Sequence, residues 1–166
     1  MPRRFPSSAG CYNGLPVAGG VSARAQLPMV TMVRRRIQTA GQGDVHDVTA
    51  EVATVVSGSG LTAGVATVAV VGSTAGITTI EFEPGAVADF NRLFERLAPR
   101  DGPYAHHERW GDDNGSSHVR AALLGPSIAI PFSDAELALG TWQQLVLVEC
   151  DTRARTRELV IQLVGE

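Results

Sequence analysis

Residues 64–71 and 75–83 form two runs of small and β-branched side chains that carry no charge before Glu81. Their near-continuous apolarity reads as two strands at the buried centre of a sheet, and no other feature narrows the fold as much. Residues 84–97 follow at once with a different period. Val87, Phe90, Leu93, Phe94 and Leu97 recur at three- and four-residue spacing after Pro84-Gly85, the signature of an amphipathic helix that ends at Pro99.

The remaining elements are shorter. Residues 33–39 read as a first strand, followed by a turn through residues 41–43. Residues 49–57 read as a helix, with Glu51 in its first turn, Val52, Val55 and Val56 on one face and Gly58 as its stop. Residues 100–110 lack periodicity and read as a loop. Residues 116–124 form a third helix closed by Gly125-Pro126. Residues 127–132, 136–139, 143–150 and 156–164 then give four strands, whose short turns at 133–135 and 151–154 predict an antiparallel meander. The fold class is therefore α+β: a mixed, mostly antiparallel β-sandwich with about three helices packed outside. No repeat, heptad or apolar run of 18 residues occurs, which argues against a solenoid, a coiled coil or a membrane span.

Residues 1–31 differ from the rest. They hold arginines and no acidic residue, with Pro, Gly and Ser scattered without period, and read as a disordered tail or as a translated stretch upstream of a start at Met29 or Met32. Residues 32–166 then make a single domain. At 166 residues and 44% hydrophobic the chain fits one core, since domains of this size bury roughly 70% of their extended surface. A net charge of -3 supplies no field to attract nucleic acid or an anionic membrane. All 14 basic residues are arginine, so Schiff-base chemistry and a P-loop lysine are excluded, and base chemistry falls to His, Asp or Glu. Cys11 and Cys150 are far apart and form no CxxC pair, which reads as a cytoplasmic protein with reduced thiols and Cys150 in the core.

Reactive side chains concentrate in residues 104–118, where His106, His107 and His118 accompany Asp112 and Asp113. Two imidazoles with neighbouring carboxylates suit either a divalent metal or an acid/base pair. Asp112 and Asp113 could equally cap the helix that follows, with the histidines as solvated loop residues. His46, beside Asp44 and Asp47, reads as a surface or capping residue. Arg153, Arg155 and Arg157 alternate at strand period and share a sheet face. With Arg34 and Arg36 they could cradle an anion, or they could be solubilising charge on an edge strand. Glu81 and Glu83 also share a strand face. The Gly72–Gly76 turn lacks a GxGxxG pattern and precedes a strand, so it is not a phosphate loop.

Five stretches in order resemble the YjbQ family over residues 45–166: 72–81 (GSTAGITTIE), 104–106 (YAH), 111–118 (GDDNGSSH), 124–127 (LGPS) and 139–143 (LGTWQ). The resemblance implies a mixed β-sandwich assembled as a homotrimer, and a site containing His106, Asp113 and His118, with Thr74, Glu81, Trp142 and Gln143 lining it. It implies a secondary thiamine-phosphate-synthase activity that joins a pyrimidine diphosphate to a thiazole phosphate with release of pyrophosphate. One departure stands out: where the family commonly reads Pro-His-Thr-Thr, this chain reads Val71-Gly72-Ser73-Thr74. Either His107 or Glu81 substitutes for the missing histidine, or the site binds something else.

The leading expectation is a cytoplasmic, thiamine-phosphate-synthase-like transferase. Asp113 and Glu81 hold a divalent metal, Mg or Zn, which neutralises the leaving pyrophosphate. His106 and His118 are metal ligands or proton-transfer groups, and Arg153 and Arg155 bind substrate phosphate. The rivals are a non-catalytic trimer that binds a phosphorylated metabolite and a metal-dependent phosphate-ester hydrolase.

Overall fold

The computed structural model describes residues 29–166. The strands are β1 (Met29–Thr39), β2 (Val45–Asp47), β3 (Ala63–Val71), β4 (Ala75–Ile80), β5 (Ser127–Ser133), β6 (Glu136–Leu137), β7 (Gln144–Glu149) and β8 (Arg155–Gly165). The helices are α1 (Thr49–Ser57), α2 (Pro84–Leu97), α3 (Ala105–Trp110) and α4 (Gly115–Leu124). A five-stranded sheet in the order β1-β8-β3-β5-β6 faces a three-stranded sheet in the order β2-β7-β4, and every recorded pairing is antiparallel. The expected mixed sandwich with helices outside is the fold, with four helices rather than three.

Strand burial explains the layering. β3 and β8 alternate, sending Ala66, Val68, Val70, Leu159, Ile161 and Leu163 inward against Ile77, Leu145 and Leu147 of the small sheet. β7 is buried on both faces, because Val146, Val148 and the adjoining Cys150 meet Ala121, Leu124 and Phe90 from α4 and α2 on the other side. The small sheet is thus the middle layer, and α2 and α4 form the third. Burial pushes the Cys150 thiol up to about 12, so it stays protonated in the folded core.

Several sequence-level expectations change here. The last strands are not a meander. β5 and β6 form a hairpin, but β7 lies in the middle layer while β8 crosses to the large sheet and inserts between β1 and β3. A strand apolar on both faces is satisfied only between two layers, whereas an alternating one belongs where a single face is packed. β4 stops at Ile80, and Glu83 is not a strand residue. Its carboxylate caps α2 by accepting from the N–H groups of Gly85 and Ala86, with Pro84 in the first helical turn. The 100–110 segment is not all loop, since it contains α3. β1 begins at Met29 and pairs from there with Gly165, so strand structure starts before the expected boundary at 32. Residues 1–28, the rest of the expected tail, lie outside the described residues.

No helix among the described residues is long and apolar enough to cross a membrane. The outer face of the large sheet carries Val30, Met32, Val65, Val71 and Val164, all exposed, with Val30, Val164 and Val65 in one cross-strand row.

Candidate functional site

Three links bring most of the expected site residues to one end of the middle sheet. Asp113, in the loop before α4, accepts a 3.3 Å hydrogen bond from the Thr152 hydroxyl in the β7–β8 turn. Thr74, at the start of β4, donates to Asp151 at 2.9 Å, and Arg155 reaches the same carboxylate at 2.9 Å. His118, on the second turn of α4, lines a cavity of about 340 Å³ together with Gly72, Ser73, Ala75, Ala121, Ala122 and Pro126. The tether Gln42 to Ser116, 3.2 Å, and the buried Arg120, which donates to Ala98 O at 2.9 Å and pairs with Glu95, hold α4 in register against the body of the fold.

The imidazoles of His106 and His118 meet, with ring centroids 4.6 Å apart. Behind them, Asp112 Oδ1 stands 3.3 Å from His106 Nε2. The Asn114 amide, oriented to suit its neighbours, donates to Asp112 Oδ1 at 3.1 Å and to His106 Nε2 at 3.1 Å. Both protonation states of His106 are therefore served. The neutral ring accepts from Asn114, and the protonated ring donates to Asp112. A pair with that provision is suited to moving a proton.

Other residues are used differently. His107 Nε2 accepts the Gly115 N–H at 3.0 Å and its ring stacks edge-on with Tyr104 at 5.4 Å, so it supports the start of α4 and does not stand in for a missing histidine. His46 pairs with Asp44 at 2.8 Å, half-buried on β2, in a structural role. Glu81, Trp142 and Gln143 lie at the opposite end. Ile80 pairs with Gln144 and Ala75 with Glu149, and that length of strand is roughly 16 Å. Trp142 is 71% exposed. Gln143 bonds Thr79 at 3.3 Å and borders a separate cavity of about 500 Å³ beside α1.

The expected metal set therefore does not assemble within one chain. Glu81 is remote from His106, His118 and Asp113, and no group of three His, Cys, Asp or Glu side chains among the described residues converges as a metal site. A divalent metal does not fit the residues that one chain brings together.

The arginine triplet splits. Arg153 is exposed in the turn, Arg155 is partly exposed on Asp151, and Arg157 is buried among the inward residues of β8. The shared face is real for Arg155 and Arg157, but it is the inner face of a central strand rather than the outer face of an edge. Arg157 donates to Glu149 through Nε, 2.6 Å, and Nη2, and to Thr74 Oγ1 through Nη2 at 2.8 Å. Arg34 instead pairs with Glu158 on the outer face, and so cannot join such a cradle.

Glu149, 1% exposed, is the centre of this cluster and was not singled out from the sequence. It also accepts from Thr39 Oγ1 at 2.7 Å and the Asp151 N–H at 2.8 Å. A signal was available: carboxylates at 149 and 151 and arginines at 155 and 157 share strand period across a short turn.

Burial alone would raise the Asp151 carboxyl, but hydrogen bonds from Arg155, Thr74 and the Arg153 N–H outweigh it and hold the group below its ordinary 3.8. A carboxyl whose folded value is depressed gives stability that is complete above its unfolded value and lost as pH falls through the folded one. Chemical denaturation should thus give constant stability from neutral pH to near 4 and a decline below it. Asp151→Asn should flatten part of that decline, and an unchanged acid slope would show that Asp151 is not its source.

Gly72 has φ +143, and a Cβ there would stand 2.9 Å from Arg157 Nη1. Restoring a histidine at this position is therefore expected to strain the turn by about 1–3 kcal/mol, lowering the melting temperature rather than completing a site. A Gly72→His protein that melts with the native one would overturn this.

Comparison with known proteins agrees with the architecture. A family profile described as UPF0047 protein YjbQ-like matches residues 34–166. A UPF0047 protein of Synechocystis is 34% identical over 131 residues, covering 78% of this chain and 88% of the relative. One from Methanothermobacter thermautotrophicus is 32% identical over 130 residues, covering 78% and 89%. Among solved structures, a YbjQ-like protein of unknown function from Sulfolobus solfataricus superposes with a TM-score of 0.79 at 29% identity, covering 84% of this chain and 99% of that one. A hypothetical protein from Aeropyrum pernix K1 gives 0.74 at 30% identity, covering 82% and 99%. With a match across nearly the whole described fold, the chain belongs to the YjbQ (UPF0047) family.

Proposed function

We propose that this chain is an enzyme of small phosphorylated metabolites. Its leading reaction is the thiamine-phosphate-synthase-like coupling of a pyrimidine diphosphate with a thiazole phosphate. The observation that supports the reading is the His106–His118 pair, backed by Asp112 and Asn114, with His118 on a cavity walled by Gly72 and Ser73. In the coupling, the thiazole nitrogen forms a bond to the pyrimidine methylene carbon, and the carbon–oxygen bond to pyrophosphate breaks with both electrons going to the leaving oxygen. A protonated imidazole at His118 neutralises that oxygen as charge develops, with the His106 ring packed against it. Arg155 and Arg153 bind the substrate phosphates.

The exposed apolar outer face of the large sheet supports a homotrimer, in which a second copy would cover Val65 and Val164. A cytoplasmic location is part of the same reading, supported by the lack of a CxxC pair or paired cysteine spacing in the sequence. A non-catalytic binding module is the second reading, favoured by the lack of three converging metal ligands among the described residues.

Purified protein incubated with both substrates separates the readings. Thiamine phosphate formed with equimolar pyrophosphate supports the transferase. Phosphate released without the thiazole partner favours a hydrolase. Saturable substrate binding with neither product leaves the binding module.

A further inference from the structure

Arg157 has one unused edge. Its Nε and Nη2 are committed to Glu149 and Thr74, while Nη1 has no hydrogen-bond partner among the described residues. The side chain is 8% exposed, and Nη1 itself keeps some contact with solvent. Residue 72 lies directly beside it. The point where a Cβ on that residue would stand is 2.9 Å from Nη1, and because the residue is glycine the point is vacant. Gly72 is itself exposed and forms part of the wall of the 340 Å³ cavity that His118 and Ser73 also line.

Nη1 carries two of the guanidinium's five N–H donors, and without a ligand these are left to water. Gly72 leaves Nη1 uncovered on its side, and a ligand oxyanion suits a guanidinium edge better than water does. Burial also fixes the donor. The fork is clamped by Glu149 and Thr74, so it needs no ordering when a ligand arrives, unlike the exposed Arg153. A second guanidinium is next to it, since Arg155 Nη2 and Arg157 Nη2 lie 2.9 Å and 3.9 Å from the same Asp151 oxygen.

The geometry points to Arg157 Nη1, reached through the gap left by Gly72, as the anchor for a phosphate or pyrophosphate oxygen in the His118 cavity. Glycine at 72 thereby sets which substrates enter, because any side chain there would cover the donor. This deepens the phosphorylated-metabolite reading and rests on it for the identity of the anion.

The test uses inorganic pyrophosphate and the full chain, without turnover. Calorimetry should show saturable binding to the native protein, and affinity roughly tenfold or more weaker in Gly72→Ala, the loss expected for one charge-assisted hydrogen bond. Gly60→Ala is the control. Its φ is +77 with nothing within 4 Å of a Cβ, so it carries backbone strain without covering a donor, and its affinity should match the native protein's. If Gly72→Ala does not fold, arginine-labelled native protein decides instead. Pyrophosphate should shift the Arg157 side-chain resonances saturably. Absence of saturable binding, equal affinity in Gly72→Ala, or shifts confined to Arg153 and Arg155 would each overturn the anchor. An inactive protein that binds pyrophosphate through Arg157 would sink the coupling reaction and keep the anchor. An active one indifferent to Gly72→Ala would do the reverse.

Discussion

Glu149→Ala is expected to destabilise the domain by about 3–5 kcal/mol, the usual cost of removing one partner from a buried ion pair. Glu149 accepts from Thr39, from the Asp151 N–H and twice from Arg157, so its removal strands a buried guanidinium and a hydroxyl together. Each kcal/mol moves the midpoint of a domain of this size by roughly 2–4 °C, so calorimetry should show a fall of about 6–20 °C or no folded protein at all. The loss is a property of the orphaned charge more than of the pair. The double variant Glu149→Leu/Arg157→Met should therefore recover most of the stability, since apolar replacement of a buried pair is often neutral. A double variant as unstable as the single one would show that the pair itself holds β7 against β8. Because Thr74 donates to Asp151 and accepts from Arg157, the same cluster fixes the Gly72–Thr74 turn, and stability here is tied directly to the shape of the candidate site.

His118→Ala should lower the coupling rate by about 10²- to 10⁴-fold, the range for a single acid/base group, with little change in the melting temperature. His118 is half-buried on a helix where alanine has the higher intrinsic propensity, and its ring lines the cavity rather than filling the core. The effect should fall on kcat, and the alkaline limb of the pH–rate profile, where a proton donor is lost, should move in the variant. His106→Gln should produce a smaller loss of the same kind, because it removes the ring packed against His118 while keeping a polar group near Asp112. Unfolding of His118→Ala, or full activity in it, would return the histidines to a structural role.

How much was legible depended on whether an element's pattern was local. The helix over 84–97 was readable from its apolar spacing and Pro84, but its cap, Glu83, reads from sequence as a strand residue. The strand runs at 64–71 and 75–83 were equally plain, although the second stops at Ile80. Their sheet partners were not. Short turns after β5 and β7 suggested hairpins, but only the β5–β6 pair forms one, because the two-sided apolarity of β7 is satisfied by layers that are far apart in sequence. At the site, the histidine segment and Asp113 were identified from composition and resemblance, and they do gather with Thr74 and Arg155. Glu81, Trp142 and Gln143 were grouped with them by the family resemblance, and within one chain a strand's length separates them.

The sequence by itself determined the types of the longer elements, the absence of lysine chemistry, the family and the residues able to carry protons, since each of these depends on side-chain identity or on spacing within a dozen residues. Tertiary structure decided which charges are buried, which end of the sheet holds the site and which histidine is structural. Those outcomes depend on contacts such as Thr39 with Glu149 and Thr152 with Asp113, made across long stretches of chain. Burial turns an arginine that looked like surface charge into a clamped donor, and no local pattern records that a glycine 85 positions earlier leaves it uncovered.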